Sequence, residues 1–381
     1  MLLIKGGEIH DGIHQEGYIA DILVKEGKIS RIGKGLKAGS AEIVSAAGLR
    51  VYPGFVDAHS HLGLDGYGIG YEGADYNEMN DIVSPHLRGI DGFKPGQPDF
   101  LHAALAGVTT VNTGPGSANV LGGTFLAVKT VGRRAEDMLV KMETAMKCAF
   151  GENPKRVYRE KSDSSRMTTA AKLREMLFKA HEYEEKKKAA GSDISKLPSF
   201  DMKLEALLPV IRGDMPLKAH AHAVEDIFTA LRIAREFHLK ITLEHVTEGH
   251  LIVEELAKEG VPLAVGPSLT GASKFELRNK TFETPGILAK AGCLVSIITD
   301  APVIPQEYLP MCAALAVKSG MDPFQALQAI TINPAIHSGI ADRVGSLEAG
   351  KDADIILMKG NCLDVAVKPE AVFIMGKRVT S

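Results

Sequence analysis

Cysteine is scarce, with four residues at positions 148, 293, 312 and 362 of a 381-residue chain. They are widely spaced and form no C-x-x-C pair, which excludes a disulfide framework and a thiolate zinc site and leaves them as reduced packing residues. No uninterrupted apolar run approaches the roughly 18 residues that span a bilayer, so no membrane partner is expected. Neither sign of charge prevails: the formal net charge is -3, and Lys and Arg are scattered. Without a basic stripe to neutralise a phosphate backbone, nucleic acid drops out of the expected partners. The opening MLLIKGGEIHDG lacks the basic stretch, long apolar core and small-residue cleavage site of a secretory signal, so the expected location is cytoplasmic. Internal repeats and low-complexity tracts are missing as well.

What remains is the composition of an ordinary soluble protein, 45% apolar and 24% charged, long enough for a barrel of about 250 residues plus a smaller domain. Residues 1–52 read as short strands with glycine turns, and the stretch GSLEAGKDADIILMKG to VFIMGKRV near the end reads the same way. The expected domains are therefore a composite small β-sandwich from 1–52 and 345–381, and an α/β unit from 53–344. Within the latter, apolar runs alternate with helical stretches, as in repeated βα units of a (β/α)8 barrel. The candidate strands are 51–59, 107–114, 123–130, 141–150, 216–222, 240–245, 261–266 and 293–300. Stretches 224–237 and 248–260 carry apolar stripes at helical spacing for the barrel exterior. The charged stretch 155–197 is expected to be a solvated helical insertion, and the Gly-, Asp- and Tyr-rich 61–98 a binding loop or lid. GPGSANVLGG (114–123) lacks dinucleotide-binding spacing and is expected to be an ordinary loop.

Histidine is the richer signal, because several of the thirteen end apolar runs. His59 and His61 in DAHSH share one face of the first strand, where two imidazoles can reach one divalent cation. An H-x-H pair alone also occurs as two packed, hydrogen-bonded histidines. His220, His245 and Asp300, however, end three further candidate strands, and strand ends converge at the C-terminal face of a barrel. Imidazole and carboxylate ligands suit Zn²⁺, though Mn²⁺, Fe²⁺, Co²⁺ and Ni²⁺ share the preference. A cation there lowers the pKa of water to about 7. Asp300 is placed to take the water's proton and pass it to a leaving nitrogen; the alternative for an Asp before Ala-Pro is a helix N-cap. His222, Asn112 and Arg278, with Lys274, are candidates to bind substrate. His10, His14, His86, His102, His181, His238, His250 and His337 fall off the strand ends and are assigned no chemistry.

PGFVDAHSH, the strand-end His220 and His245, TDAP, NPAIHSGI and GSLEAGKDADIILM together resemble the amidohydrolase superfamily, especially its imidazolonepropionase and prolidase-like branch, over nearly the whole chain. By that resemblance His59 and His61 bind a first metal with Asp300, and His220 and His245 bind a second or face substrate. Two-metal members carry a lysine on the fourth strand, carboxylated by CO₂; Lys147 is the best match, with Lys141 and Lys203 as rivals. The implied activity is hydrolysis of an amide, cyclic amide or peptide-like C–N bond in a small molecule by metal-activated water. A one-metal enzyme of imidazolonepropionase-like or deaminase-like type, and a non-catalytic binding protein of the same fold, are the alternatives. The oligomeric state, homo-oligomers included, stays open.

Overall fold

The computed structural model describes residues 1–68, 70–159 and 164–380. Eight strands form one nearly closed sheet in chain order: β1 (Phe55–Ser60), β2 (Val108–Thr113), β3 (Leu121–Lys129), β4 (Leu139–Ala149), β5 (Leu217–Ala221), β6 (Ile241–His245), β7 (Leu263–Val265) and β8 (Val295–Ile297). The ring is closed just past the last strand, where the Asp300 N–H donates to the His59 carbonyl (3.2 Å) and the His61 N–H to the Ala301 carbonyl (2.8 Å). Every residue of β1, β2, β3, β5 and β6 is buried, as expected of strands covered on both faces. Outside them lies the helix Val224–Glu236, which buries Ile227, Ala230, Leu231 and Ala234 along one stripe.

One strand departs from the expected repeat. β3 runs antiparallel to both β2 and β4, so the barrel is not a uniform set of βα units. Antiparallel neighbours need only a short link, whereas parallel ones need a crossover of roughly a dozen residues or more. Residues 114–120 supply the first link, and 130–138, with the short helix Ala135–Met138, the second.

The strands 2–9, 18–25, 28–33, 42–45, 50–53, 355–358, 369–374 and 377–378 hydrogen-bond as a single mixed sheet, in which chain from both ends is interleaved. Seven of them pair along one path, and the strand at 42–45 branches from it by pairing with 2–9. Strand Leu2–Ile9 changes partner midway: Leu2–Lys5 pair with Glu42–Ser45, and Glu8–Ile9 with Arg50–Val51. The switch falls at Gly6, whose φ of +73° needs glycine. Ser381 lies outside the described residues. Among those described, no helix is long and apolar enough to cross a membrane.

The chain passes from small sheet to barrel at Gly54, where a side chain has no room. A Cβ there would overlap Oγ1 of the fully buried Thr109 and lie 2.6 Å from its Cγ2. Gly54→Ala is therefore expected to cost about 1–3 kcal/mol through overpacking, read as a lower denaturant midpoint at unchanged m-value. An unchanged midpoint would mean that Thr109 yields freely.

Candidate metal centre

His59 and His61 leave the end of β1, Lys147 lies near the end of β4, His220 and His222 close β5, His245 ends β6, and Asp300 follows β8. The C-terminal mouth of the barrel thus gathers all seven. A cavity of about 550 Å³ opens above, lined by His61, His220, His222, Lys274 and Asp300, together with Tyr76, Asn77, Ser117 and Asn153. His59, Lys147 and His245 lie beneath it, each at most 1% exposed. His245 and Asp300 adopt φ of +75° and +53°, a strained region for residues other than glycine that is commonly held only where surrounding structure enforces it.

The hydrogen bonds decide what these rings offer. His61 Nδ1 lies 2.7 Å from the Gly114 carbonyl, His245 Nδ1 2.8 Å from the Gly266 carbonyl and His59 Nδ1 2.9 Å from the Glu244 carboxylate. Carbonyls and carboxylates only accept, so each Nδ1 donates, and in the neutral ring Nε2 is a bare lone pair. Burial holds His59 well below its ordinary pKa, the nearby Lys147 charge adding to the effect, and takes His245 down to about 4. These lone pairs face one another and a carboxylate: Asp300 Oδ1 is 3.2 Å from His61 Nε2 and 3.6 Å from His59 Nε2. Acceptor against acceptor repels unless a cation lies between them. His245 Nε2 is buried with no hydrogen-bond partner among the described residues. A borderline divalent cation fits this donor set, and His59, His245 and Asp300 present atoms within 4.8 Å of one another.

A second convergence adjoins the first: His220, His222 and His245 also offer ligand atoms within 4.8 Å. His220 Nδ1 pairs with Ser117 Oγ at 2.8 Å and His222 Nδ1 with Thr247 Oγ1 at 2.7 Å. Both rings are held well below the ordinary histidine pKa, chiefly by burial. The buried carboxylate of Glu276 stands 3.7 and 3.8 Å from their Nε2 atoms and forms an ion pair with Lys274 at 2.6 Å. Lys147 donates to His59 Nε2 at 3.2 Å. Burial pulls its pKa down to about 8, against the attraction of Asp300 and Glu244.

Other expectations are redirected. Asn112 donates to Ser338 Oγ (3.0 Å) and accepts from Thr144 (2.7 Å), away from the cavity lining. Arg278 is exposed, stacked 4.3 Å from the Phe275 ring centroid and 3.3 Å from Glu248. The rivals Lys141 and Lys203 are also elsewhere, Lys141 near the Gly339 carbonyl (3.5 Å) and Lys203 on Asp81. The 114–123 segment is no ordinary loop, since its Gly116, Ser117 and Ala118 line the cavity. From 61–98, Tyr76 and Asn77 do so too. The 155–197 stretch is helical over Arg166–Ala190 and buries Leu173, Leu177 and Ala180, while Arg156 reaches the cavity; residues 160–163 of it lie outside the described residues. Glu244, Lys218, Glu276 and His337 escaped the sequence reading. The available signal was a charged residue inside an apolar strand, as in LKAHA and ITLEH.

Similarity to known proteins extends over nearly the whole chain. The profile described as "Amidohydrolase family" matches residues 50–379. A solved amidohydrolase from Thermotoga maritima MSB8 is 40% identical, superposes with a TM-score of 0.96 and is covered in full, as is this chain. Amidohydrolase tasK of Hapsidospora irregularis is 29% identical over 397 residues, spanning 96% of this chain and 40% of that protein. An imidazolonepropionase from Symbiobacterium thermophilum is 34% identical over 145 residues, 37% of this chain and 33% of the relative. The chain thus spans less than half the length of these two curated relatives.

Proposed function

This chain belongs to the amidohydrolase family, and from that membership we propose that it is a metal-dependent hydrolase of a C–N bond in a small amide, cyclic amide or peptide-like substrate. The observation that carries the proposal is the convergence of the His59, His61 and His245 rings on the Asp300 carboxylate, with the buried Nε2 of His245 left without a hydrogen-bond partner among the described residues. His59, His61, His245 and Asp300 would hold one ion, and His220 with His245 a second; Zn²⁺ suits the ligand types. When bound, such ions supply Lewis acidity, which acidifies water and polarises a carbonyl.

The remaining chemistry belongs to the chain. Asp300 lines the cavity floor and its side chain is 15% exposed, within reach of a water entering from above. Its carboxylate takes the proton of the attacking water and returns it to the departing nitrogen, so that the leaving group departs as a neutral amine. His222, Asn153 and Lys274 line the same cavity and are suited to orient substrate polar groups. Lys147 is proposed to react with CO₂: the neutral amine adds to carbon and loses a proton, which replaces a cation by an anionic carbamate. Its burial and its pKa of about 8 make the neutral amine accessible near neutral pH.

Metal content per chain, measured by elemental analysis on protein purified without chelator, tests this reading. About two ions per chain in the wild type, falling in Lys147→Ala, is the expected result. One ion, unaffected by the substitution, would favour a mononuclear ring hydrolase with an unmodified Lys147. A metal-free wild type that binds no added Zn²⁺ would overturn the metal reading.

A further inference from the structure

Below the strand-end histidines the barrel contains a charged layer that the proposed chemistry does not use. Glu244, one residue before His245, is fully buried, and its carboxylate receives four donors. Oε2 accepts from His59 Nδ1 at 2.9 Å and is ion-paired with Lys218 Nζ at 2.8 Å, and Oε1 accepts from His337 Nε2 at 2.8 Å and Thr242 Oγ1 at 2.7 Å. Lys218 also donates to the carbonyl of Ala58, the residue before His59, at 2.9 Å. A buried carboxylate is costly unless its lone pairs are filled and its charge is matched. Both conditions are met here, since Lys218 is fully buried beside it.

This layer joins three parts of the chain. His337 comes from the helix Ile332–His337, Glu244 and Thr242 from β6, and Lys218 from β5. Among the described residues, the hydrogen bond that joins this layer to the histidines above is the one to His59 Nδ1, and that bond bears on two properties of the ring. Its direction sets the ring plane, and the acceptor-only carboxylate keeps the proton on Nδ1, so that Nε2 points upward as a lone pair.

We propose that Glu244 is a positioning residue, anchored by His337, Thr242 and Lys218, which locks His59 in the Nδ1–H tautomer and thereby sets the cation affinity of the centre. The proposal rests on the metal-dependent reading above. It assigns function to His337 in the NPAIHSGI segment, which sits beneath the site and makes no contact with the cavity.

The test replaces Glu244 together with its counter-ion, because Glu244→Met alone would strand the Lys218 ammonium in the core. Zn²⁺ titration of the metal-free wild type, of Lys218→Met and of Lys218→Met/Glu244→Met is accompanied by nitrogen-15 NMR of the His59 ring, which reads the tautomer without any metal. Affinity is expected to fall about 10- to 100-fold in the double variant, with His59 passing to a mixture of tautomers. Lys218→Met should keep the Nδ1–H form, and Lys218→Met/Glu244→Gln, which restores an acceptor without charge, should recover part of the affinity. Wild-type affinity and an unmixed tautomer in the double variant would overturn the proposal alone, whereas a wild type that takes up no Zn²⁺ would overturn the metal reading and this proposal with it. If the double variant does not fold, His337→Gln gives the same reading at smaller amplitude: a several-fold loss supports the proposal, and no change in affinity or tautomer refutes it.

Discussion

Asp300→Asn is expected to fold as the wild type does and to lose about 10²- to 10⁴-fold in kcat, the range associated with a positioned general acid and base. The substitution keeps the size and one oxygen of the side chain, and it leaves the backbone bonds that close the barrel at His59 and Ala301 untouched. What it removes is the proton acceptor on the cavity floor. KM should change less than kcat, because the group acts on the reacting atoms and not on the remote parts of the substrate. The check is steady-state kinetics on the best amide from a substrate screen, with metal content and circular dichroism measured on the same sample. Near-wild-type turnover in a folded, metal-loaded variant would sink the assignment of Asp300, and failure of the wild type itself on every amide screened would favour a non-catalytic binding role.

The second large effect concerns stability at the junction of barrel and small sheet. Lys129, at the end of β3, is 2% exposed, and its Nζ lies 2.6 Å from Asp354 and 3.1 Å from Asp352. Asp352 is shared with Arg343 at 2.8 Å and with Lys28 at 3.2 Å, so one buried cluster joins β3, the small sheet and the chain leading back into it. Lys129→Met keeps the volume but leaves the Asp354 carboxylate without its cation, and removing one partner of such a pair costs about 3–5 kcal/mol. The deficit should narrow on acidification. In the wild type Asp352 is held below the usual carboxylate range, burial opposing but Lys129 and Arg343 prevailing, so its contribution is present above the unfolded pKa and lost as pH falls through the folded one. Urea denaturation at neutral pH and near pH 3, below the usual carboxylate range, measures this; an equal deficit at the two values would show that packing rather than charge holds the junction.

Much of this architecture was legible from residue order. A strand-end histidine or aspartate needs only to be at the end of one of the seven parallel strands to reach the mouth of the barrel, because closure brings those seven ends together whatever fills the loops. His59, His61, His220, His245 and Asp300 could therefore be grouped from sequence, and Lys147 joined them through its position near the end of the fourth strand. The direction of β3 was not legible: LGGTFLAVK is buried along its whole length, and a strand covered on both faces reads the same in either orientation. Asn112 and Arg278 point to the same limit from another side. Their chemistry suits a substrate, but Ser338 and Thr144 engage the first and Glu248 and the Phe275 ring the second. Local pattern does not disclose partners from distant segments.

The sequence by itself determined the alternation of strands and helices outside β3, the interleaving of both chain ends in one small sheet, and which histidines stand with Asp300 at the mouth. These follow from periodicity and from strand-end position, which are local quantities. The tertiary structure alone decided which ring nitrogen of His59, His61 and His245 carries its proton, because that choice belongs to the carbonyls of Gly114 and Gly266 and to the carboxylate of Glu244. It also turned Glu244, Lys218 and His337 into one buried layer beneath His59. Charges drawn from β5, β6 and a helix far along the chain can be neighbours only once the barrel has closed, and in that low-dielectric interior each is stable only because the others are there.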